Sequence, residues 1–273
     1  MKIISLQPSV SVTLERLGCL DLLAACTRYC LDVVPELRHR GLPIVHDSWS
    51  TRAEELLPVK ADLVIASVPY RQESLAAILK AGTPVLALAP HTLEDIYQDI
   101  RLIAAVAGAV DRGEQTIAAM RDEIADVRKR ASAADRPRVY CEEWGKPMIH
   151  SQAWVQELVE AAGGAFVGSP GAVTSAEAIA AEDPDVLMFA WCGAGDRVPL
   201  DRVLEQRSWQ GLRAAEQGRV VCIPDEWLNT PAPTLVQGLH ALASVIHPEV
   251  FGTGSTGARV KSTQSRSGTS KIK

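Results

Sequence analysis

Short apolar runs alternate with amphipathic stretches along most of the chain, which is typical of βα units built around parallel sheets. A first series of apolar runs predicts strands near residues 2–6, 22–26, 44–46, 63–67 and 84–88. A second series predicts strands near residues 138–142, 165–167, 186–190 and 219–223. Because each series carries its own helices, the pattern indicates two α/β lobes, each of the Rossmann-like type with a parallel sheet.

The segment between the two series contains two helical patterns and no strand pattern. They cover residues 93 to about 107 and about 113–132, and Gly108 and Gly113 mark the break between them. The second pattern places one apolar face at three- and four-residue spacing, formed by Ile117, Met120, Ile124 and Val127. A helix of about 20 residues spans roughly 30 Å. We therefore predict one long rigid helix that joins the lobes; a surface helix on one larger sheet is the alternative.

These patterns divide the chain into four parts. We predict an N-terminal lobe at residues 1–92, a helical segment at 93–134 and a C-terminal lobe at 135–250. Residues 251–273 are rich in Gly, Ser, Thr, Lys and Arg and contain few apolar positions, so we predict a disordered basic tail there.

The two predicted lobes share an internal repeat. A glycine, a glutamate thirteen residues later and an aspartate eight residues after that occur in both lobes, as Gly41, Glu54 and Asp62 and as Gly164, Glu177 and Asp185. The repeat indicates that one supersecondary unit occurs twice. Two similar lobes leave a cleft between the ends of their strands, where ligands commonly bind.

Composition excludes several function classes. The 273 residues are 47% hydrophobic and carry a formal net charge of −5. The chain has no stripe of basic residues beside aromatic ones, which argues against nucleic-acid binding. No apolar run reaches the roughly 20 residues that a membrane-spanning helix needs.

The six cysteines lack a Cys-x-x-Cys spacing, so we predict reduced, buried thiols. The first residues resemble a buried strand more than a signal peptide, which predicts a cytoplasmic protein; a missing leader would instead predict a periplasmic one.

Candidate binding residues lie in loops that follow predicted strands. The chain is only 5% aromatic, yet four of its six Trp residues lie in these loops. Flat aromatic faces with a few polar groups suit a large, mostly apolar, planar ligand. The predicted ligand-binding set is Tyr29, Trp49, Tyr70, Glu143, Trp144, Trp191, Trp227 and Asn229. Each Trp alone fits packing over a sheet edge equally well; their recurrence in loops favours a site.

Catalytic and metal-binding interpretations find less support. Cys141 stands beside two glutamates, but no nucleophile elbow or Cys/His signature frames it. The pair of glycines at 193 and 195 lacks the third glycine of a dinucleotide-binding loop. Donors for a metal occur without any short-range ligand pair, at Cys30, His46, His91, Cys141, Glu143 and His150. We therefore predict neither a catalytic residue nor a metal site.

Four segments of the chain resemble a known family. They are the opening Ile-Ile-Ser-Leu-Gln-Pro-Ser, residues 54–66 ending Lys-Ala-Asp-Leu-Val-Ile-Ala, residues 177–185, and residues 138–164 with Cys-Glu-Glu-Trp-Gly-Lys-Pro. Together they resemble the helical-backbone (class III) substrate-binding proteins of bacterial ABC importers, and within them the cobalamin-binding branch. The resemblance covers residues 2 to 248, so only the tail lies outside it.

The resemblance implies a function and partners. It implies a non-catalytic, monomeric protein that holds a corrinoid between two lobes joined by a rigid helix and requires no cofactor. Glu54 and Glu177 match the glutamates with which family members dock on arginines of the membrane permease. Alternatives are haem, a ferric siderophore or a metal ion as ligand in the same fold, or an enzyme that uses Cys30, Cys141 or Glu143 on a cobalt or tetrapyrrole compound.

Overall fold

The computed structural model describes residues 1–80 and 82–252, together with the backbone of residues 259–260. The N-terminal lobe contains nine elements: β1 (Ile3–Ser5), α1 (Pro8–Arg16), β2 (Leu23–Thr27), α2 (Cys30–Val33), β3 (Ile44–Val45), α3 (Ala53–Leu56), β4 (Leu63–Ala66), α4 (Gln72–Lys80) and β5 (Val85–Ala87). Its five strands form one parallel sheet in the order β3-β2-β1-β4-β5. All five predicted strands of this lobe are therefore present.

Two helices connect the lobes, α5 (Leu93–Val106) and α6 (Val110–Ala131). The second begins three residues before the predicted start, because Gly113 lies inside the helix and is not a break. A Cβ atom at Gly113 would lie 2.6 Å from the Cβ of Ala104, so glycine allows α5 and α6 to cross closely. Gly108, with a φ of +67°, lies between the two helices as predicted, whereas Gly113 marks a helix–helix contact and not a boundary.

The connecting helices contact both lobes. Ile103 and Ala104 of α5 belong to the core of the N-terminal lobe, whereas Ile96 and Ile100 belong to the core of the C-terminal lobe. At the start of α6, Arg112 Nη2 lies 3.5 Å from the Sγ atom of Cys19 in the N-terminal lobe. The apolar face predicted for α6 is buried, and it packs into the core of the C-terminal lobe. The connecting helices therefore pack against both lobes.

The C-terminal lobe contains the remaining elements: β6 (Arg138–Gly145), β7 (Met148–His150), α7 (Ala153–Ala161), β8 (Ala165–Phe166), β9 (Val173–Thr174), α8 (Ala176–Glu182), β10 (Val186–Phe189), α9 (Leu200–Gln206), α10 (Arg213–Glu216), β11 (Val220–Cys222), α11 (Leu235–Ile246), α12 (Pro248–Phe251) and β12 (Arg259–Val260). The order of its sheet is β12-β11-β10-β6-β7-β9, and β8 also pairs with β6.

The four strands predicted for this lobe pair parallel, β11 with β10, β10 with β6 and β6 with β8, and antiparallel strands extend the sheet so that it is mixed. Strand β6 runs on to Gly145 and turns back into β7, which pairs with it antiparallel, and β9 pairs antiparallel with β7. Polar residues and Pro147 interrupt the apolar run at residues 143–147, a pattern that predicts a loop. A hairpin with one exposed face tolerates such residues.

The predicted tail differs at its start, because Phe251 belongs to α12. At residues 259–260 the backbone pairs antiparallel with β11. The rest of the predicted disordered tail, residues 253–258 and 261–273, lies outside the described residues.

The internal repeat has a structural counterpart. An oxygen of Asp62 accepts the N–H of Lys2, which precedes β1, at 2.6 Å, and an oxygen of Asp185 accepts the N–H of Arg138, which begins β6, at 2.8 Å. Each aspartate thus ties the start of its own strand to the neighbouring strand. The equivalent hydrogen bonds show that the two lobes repeat one βα arrangement.

Candidate functional site

A cavity of about 390 Å³ lies between the lobes. It is lined by residues that follow β2 in the N-terminal lobe and by one glycine that follows β10 in the C-terminal lobe, namely Arg28, Tyr29, Leu31, Asp32, Arg38 and Gly193. The carboxyl ends of parallel strands in both lobes therefore face one space, which is the position expected of a ligand site in this architecture. A larger cavity of about 660 Å³ lies beside the end of α6 and contains none of the predicted site residues.

Tyr29 forms the N-terminal wall of the interlobe cavity together with Arg28. The hydroxyl of Tyr29 accepts a hydrogen bond from Arg28 Nη2 at 2.9 Å, and the guanidinium carbon lies 4.6 Å from the ring centroid. Tyr29 remains 37% exposed. On the same wall, Arg38 Nη2 pairs with Asp32 Oδ1 at 3.0 Å. The cavity thus presents an accessible aromatic ring, while both of its guanidinium groups already have partners.

The other two predicted residues of the N-terminal lobe have different roles. Trp49 is 48% exposed, and the guanidinium of Arg71 lies 5.9 Å from its ring. Tyr70 is half-buried, and its hydroxyl donates to the backbone oxygen of Leu88 at 3.0 Å. Burial raises the pKa of Tyr70 above its usual value. Trp49 is available to a ligand, whereas the hydroxyl of Tyr70 is already used within its lobe.

Glu143 and Asn229 meet at Cys192 in the C-terminal lobe. Asn229 Nδ2 donates to the backbone oxygen of Ala190 at 2.6 Å and lies 3.3 Å from Cys192 Sγ. The same sulfur lies 3.8 Å from Glu143 Oε1, and Glu143 Oε2 accepts from Gln152 Nε2 at 2.7 Å. Burial raises the pKa of the Glu143 carboxyl. Because Cys192 directly precedes Gly193, this cluster lies next to the interlobe cavity.

The indole ring of Trp191 is held in place by a buried ion pair. Its indole N–H donates to Glu142 Oε1 at 2.8 Å, and Arg207 binds both oxygens of Glu142 at 2.7 and 2.8 Å. Tyr140 donates a further hydrogen bond to the same carboxylate. Glu142 is fully buried, and its carboxylate is compensated by these donors. The indole of Trp191 also covers Gly145, where a Cβ atom would lie 2.7 Å from the ring.

The last two predicted aromatics of this lobe differ in exposure. Trp144 is 44% exposed in the β6–β7 hairpin, and its indole N–H donates to the backbone oxygen of Lys146 at 2.8 Å. Trp227 is half-buried and packs against the main core of the lobe. Trp154 and Trp209, the two Trp residues outside the predicted loops, are buried in the core.

Sequence reasoning left two positioning groups out of the site. Asp225 accepts the backbone N–H groups of Gly193 and Gly195 at 2.8 and 2.7 Å and so fixes the loop that reaches the cavity. Burial raises the pKa of Asp225. The two glycines in the sequence could have indicated this turn, because glycine readily adopts the positive φ that both residues have here. The Glu142–Arg207 pair had no local signal, because 65 residues separate its members.

The two glutamates of the repeat occupy equivalent positions. Glu54 is the second residue of α3 and Glu177 is the second residue of α8, and both side chains are exposed. Hydrogen bonds to the backbone N–H of Glu177 and to Ser175 lower the pKa of the Glu177 carboxyl. Glu54 and Glu177 thus occupy the same position in the first turns of α3 and α8.

Two negative findings apply to residues 1–80 and 82–252. No group of three or more His, Cys, Asp or Glu side chains in these ranges could hold a metal ion. No helix in the same part of the chain is long and apolar enough to cross a membrane.

Comparison with known proteins agrees with this architecture. A family model described as periplasmic binding protein matches residues 3–227. The ABC transporter substrate-binding lipoprotein YvrC of Bacillus subtilis is 24% identical over 263 residues, covering 92% of this chain and 81% of that protein. The cobalamin-binding protein of Halobacterium salinarum is 24% identical over 258 residues, covering 90% of this chain and 69% of that protein.

A solved structure shows the same fold. The periplasmic heme-binding protein from Pseudomonas aeruginosa superimposes with a TM-score of 0.84 at 22% identity, covering 96% of this chain and 98% of that chain. The superposition extends over both α/β lobes of this chain. With more than half of its length matched by the family model, the chain belongs to the periplasmic binding protein family.

Proposed function

We propose that this protein binds a corrinoid in the cleft between its lobes and passes it to the permease of an ABC importer. The chemistry of the cavity carries the proposal. The exposed ring of Tyr29 faces the cavity, and both of its arginines are engaged, Arg28 by Tyr29 and Arg38 by Asp32. A corrinoid is bordered mainly by neutral amides and does not need free cations, so it fits this wall.

The proposed site includes the aromatic and polar residues around the cavity. Tyr29 and Trp49 would contact the ligand from one lobe, and Trp144, Trp191 and Trp227 from the other, with Glu143 and Asn229 as polar contacts. Tyr70 would contribute its ring, because its hydroxyl is bonded to Leu88. The cobalamin-binding relative from Halobacterium salinarum supports the choice of ligand.

The size of the cavity predicts a conformational change. A corrin ring with its side chains needs more space than about 390 Å³. The lobes would open around the ligand and close on it, and the ligand would stabilise the closed state by contacting both lobes. The protein would perform no chemistry and require no cofactor, so the corrinoid should be recovered unchanged.

Haem is the second candidate ligand. Two guanidinium groups at one cavity are what two propionate carboxylates require. To bind haem, however, Arg28 and Arg38 would first have to leave Tyr29 and Asp32.

A parallel titration separates the two ligands. Purified protein is titrated with cyanocobalamin and with haem while tryptophan fluorescence and the visible spectrum are recorded. We expect saturable binding of the corrinoid with a Kd in the micromolar range or below, equivalent to about −8 kcal/mol or better. Tyr29→Ala should weaken this binding, and Phe251→Ala, on the remote α12 helix, is the matched control. Binding of haem alone would reject the corrinoid proposal and retain the site.

We further propose that Glu54 and Glu177 dock on the permease, one from each lobe. Their equivalent exposed positions would suit a partner with two similar basic patches. Charge reversal by Glu54→Arg or Glu177→Arg should abolish stimulation of ATP hydrolysis by a reconstituted importer and leave ligand affinity unchanged. Glu205→Arg, on an exposed face of α9, is the matched control. We also propose that the protein acts as a monomer; equilibrium sedimentation tests this directly.

A further inference from the structure

The sheet of the N-terminal lobe has a switch point in its topology between β1 and β4. In the order β3-β2-β1-β4-β5, the chain leaves β1 towards β2 on one side and returns through β4 on the other side. Connections diverge at such a point, and ligands of α/β proteins bind in the crevice beyond the carboxyl ends of the two strands. Helix α1 begins at this edge, only two residues after β1 ends.

The first turn of α1 offers backbone N–H groups at this edge. The helix has nine residues and begins with Pro8. Gln7 precedes it in an extended conformation, and no side chain of the described residues caps the helix. The first turn also contains no acidic residue. Backbone N–H groups at the start of a helix carry partial positive charge and bind oxyanions.

A buried hydroxyl without a partner lies at the end of the neighbouring strand. Ser67 directly follows β4 and is 1% exposed, and its Oγ atom has no hydrogen-bond partner within residues 1–80 and 82–252. Its backbone N–H is satisfied, because it donates to Ser48 Oγ at 3.3 Å. A buried hydroxyl without a partner destabilises the folded protein, so its presence calls for a group that it binds.

The register of the sheet directs Ser67 towards α1. Strands β1 and β4 pair parallel with Ser5 opposite Ile65, so Ser67 lies beside Gln7. Side chains along a strand alternate between the two faces of the sheet. Ile65 belongs to the same core cluster as Val10 of α1. Ser67 follows Ile65 by two residues and therefore lies on the same face, next to the first turn of α1.

We propose that the first turn of α1 and the hydroxyl of Ser67 form an oxyanion subsite of the cleft, which takes a phosphate or carboxylate group. On a cobalamin this group is the phosphodiester of the nucleotide loop, and on haem it is a propionate. The inference rests on the proposed function for the identity of the ligand. Because Arg28 and Arg38 at the interlobe cavity are already engaged, the helix and the hydroxyl supply the compensation that these arginines do not.

The loop after β3 covers the subsite. Ser48 has no exposed surface, and its N–H donates to the backbone oxygen of Leu6 at 3.1 Å. Trp49, the next residue, is 48% exposed. The oxyanion enters when this loop moves away from Leu6, and a ligand that contacts Trp49 stabilises the open form of the loop.

Ser67→Ala tests the subsite because it should change stability and binding in opposite directions. The unliganded variant should be at least as stable to urea as the wild-type protein, since it lacks the unpaired hydroxyl. Its affinity for cyanocobalamin should fall about tenfold, because a hydrogen bond to a charged group is lost. Its affinity for dicyanocobinamide, which has the corrin ring without the phosphodiester, should stay the same. A serine with a purely structural role would not separate the two corrinoids.

Two further variants control this result. Ser151→Ala is the matched control, because Ser151 is also fully buried with an unpartnered hydroxyl but lies in the C-terminal lobe. It should bind both corrinoids as the wild-type protein does. Gln7→Glu places a carboxylate in front of α1 and competes with the oxyanion. It should weaken binding of cyanocobalamin and leave binding of dicyanocobinamide unchanged.

Sodium phosphate and haem test the subsite without a corrinoid. At constant ionic strength, phosphate in place of chloride should raise the midpoint of thermal unfolding of the wild-type protein more than that of Ser67→Ala. Haem titrations of the same two proteins test a carboxylate, so the arm that responds to the variant identifies the source of the oxyanion. If the wild-type protein binds neither corrinoid, the proposed function fails, and these two arms still decide the subsite.

Two outcomes overturn the inference. Equal losses of affinity for cyanocobalamin and dicyanocobinamide in Ser67→Ala would show that the serine supports the cleft without binding an oxyanion. Identical behaviour of the wild-type protein and Ser67→Ala towards cyanocobalamin, haem and phosphate would show that no oxyanion reaches the hydroxyl.

Discussion

The two walls of the interlobe cleft are built differently. On the N-terminal wall, Tyr29 and Trp49 are 37% and 48% exposed and contact neighbouring arginines. On the C-terminal wall, Trp191 is tied to a fully buried carboxylate that Arg207 and Tyr140 also bind. The first wall can adapt to a ligand at small cost, whereas the second is preorganised, because its geometry is set by buried charge.

The largest effect should come from removing the charge that compensates Glu142. Arg207→Met leaves a buried carboxylate without its cation, and we expect a loss of about 3–5 kcal/mol in the free energy of unfolding. Urea denaturation measures it. Arg101→Met is the matched control, since its ion pair with Glu114 is exposed and should contribute less than about 1 kcal/mol. Equal losses in both variants would contradict the importance of the buried pair.

Truncating aromatics on each wall compares their contributions to binding. We expect Trp191→Ala to weaken corrinoid binding by about 1–3 kcal/mol, because it removes a fixed aromatic surface. Trp49→Ala should cost less, because this exposed side chain must be ordered when the ligand binds. Isothermal titration calorimetry measures both. A larger loss for Trp49→Ala would reverse the assignment of the preorganised wall.

Moving Trp191 without removing it sharpens the same comparison. In Gly145→Ala the new Cβ would lie 2.7 Å from the indole ring, so the ring must shift, and we expect destabilisation of about 1 kcal/mol and weaker binding. Gly211→Ala is the matched control, since nothing lies within 4 Å of a Cβ there. Thermal unfolding and ligand titration measure the two effects. An unaltered affinity in Gly145→Ala would show that the orientation of Trp191 does not matter.

The last prediction concerns an effect that is seen only when pH is varied, in the helix α5 that both lobes share. Burial, followed by the charge of Asp95, raises the pKa of Asp99 from its usual 3.8 to about 7. The folded protein therefore holds this proton more tightly than the unfolded chain, so the stability it contributes is full below pH 3.8 and is lost as pH rises through about 7. Asp99→Asn should remove this component from urea-denaturation curves recorded between pH 5 and 8. Parallel pH profiles for both proteins would contradict the assignment.

Local patterns predicted the skeleton of the molecule well. All nine predicted strands and both connecting helices are present. Buried parallel strands and amphipathic helices each have a characteristic hydrophobic pattern that is visible within a short stretch of sequence. The β6–β7 hairpin was missed because Glu143, Trp144 and Lys146 interrupt the apolar pattern. Local signals also placed Tyr29 in a loop at a strand end, where the structure finds the interlobe cavity.

The sequence by itself determined the two lobes, the helix between them and the repeat of Glu54 and Glu177, since these follow from periodicity and spacing along the chain. Only the tertiary structure decided which side chains act together. The ion pair of Glu142 with Arg207 and the hydrogen bond from Gly193 to Asp225 depend on how segments distant in the sequence pack together. Charge compensation and loop anchoring are properties of three-dimensional proximity, and a linear pattern does not encode them.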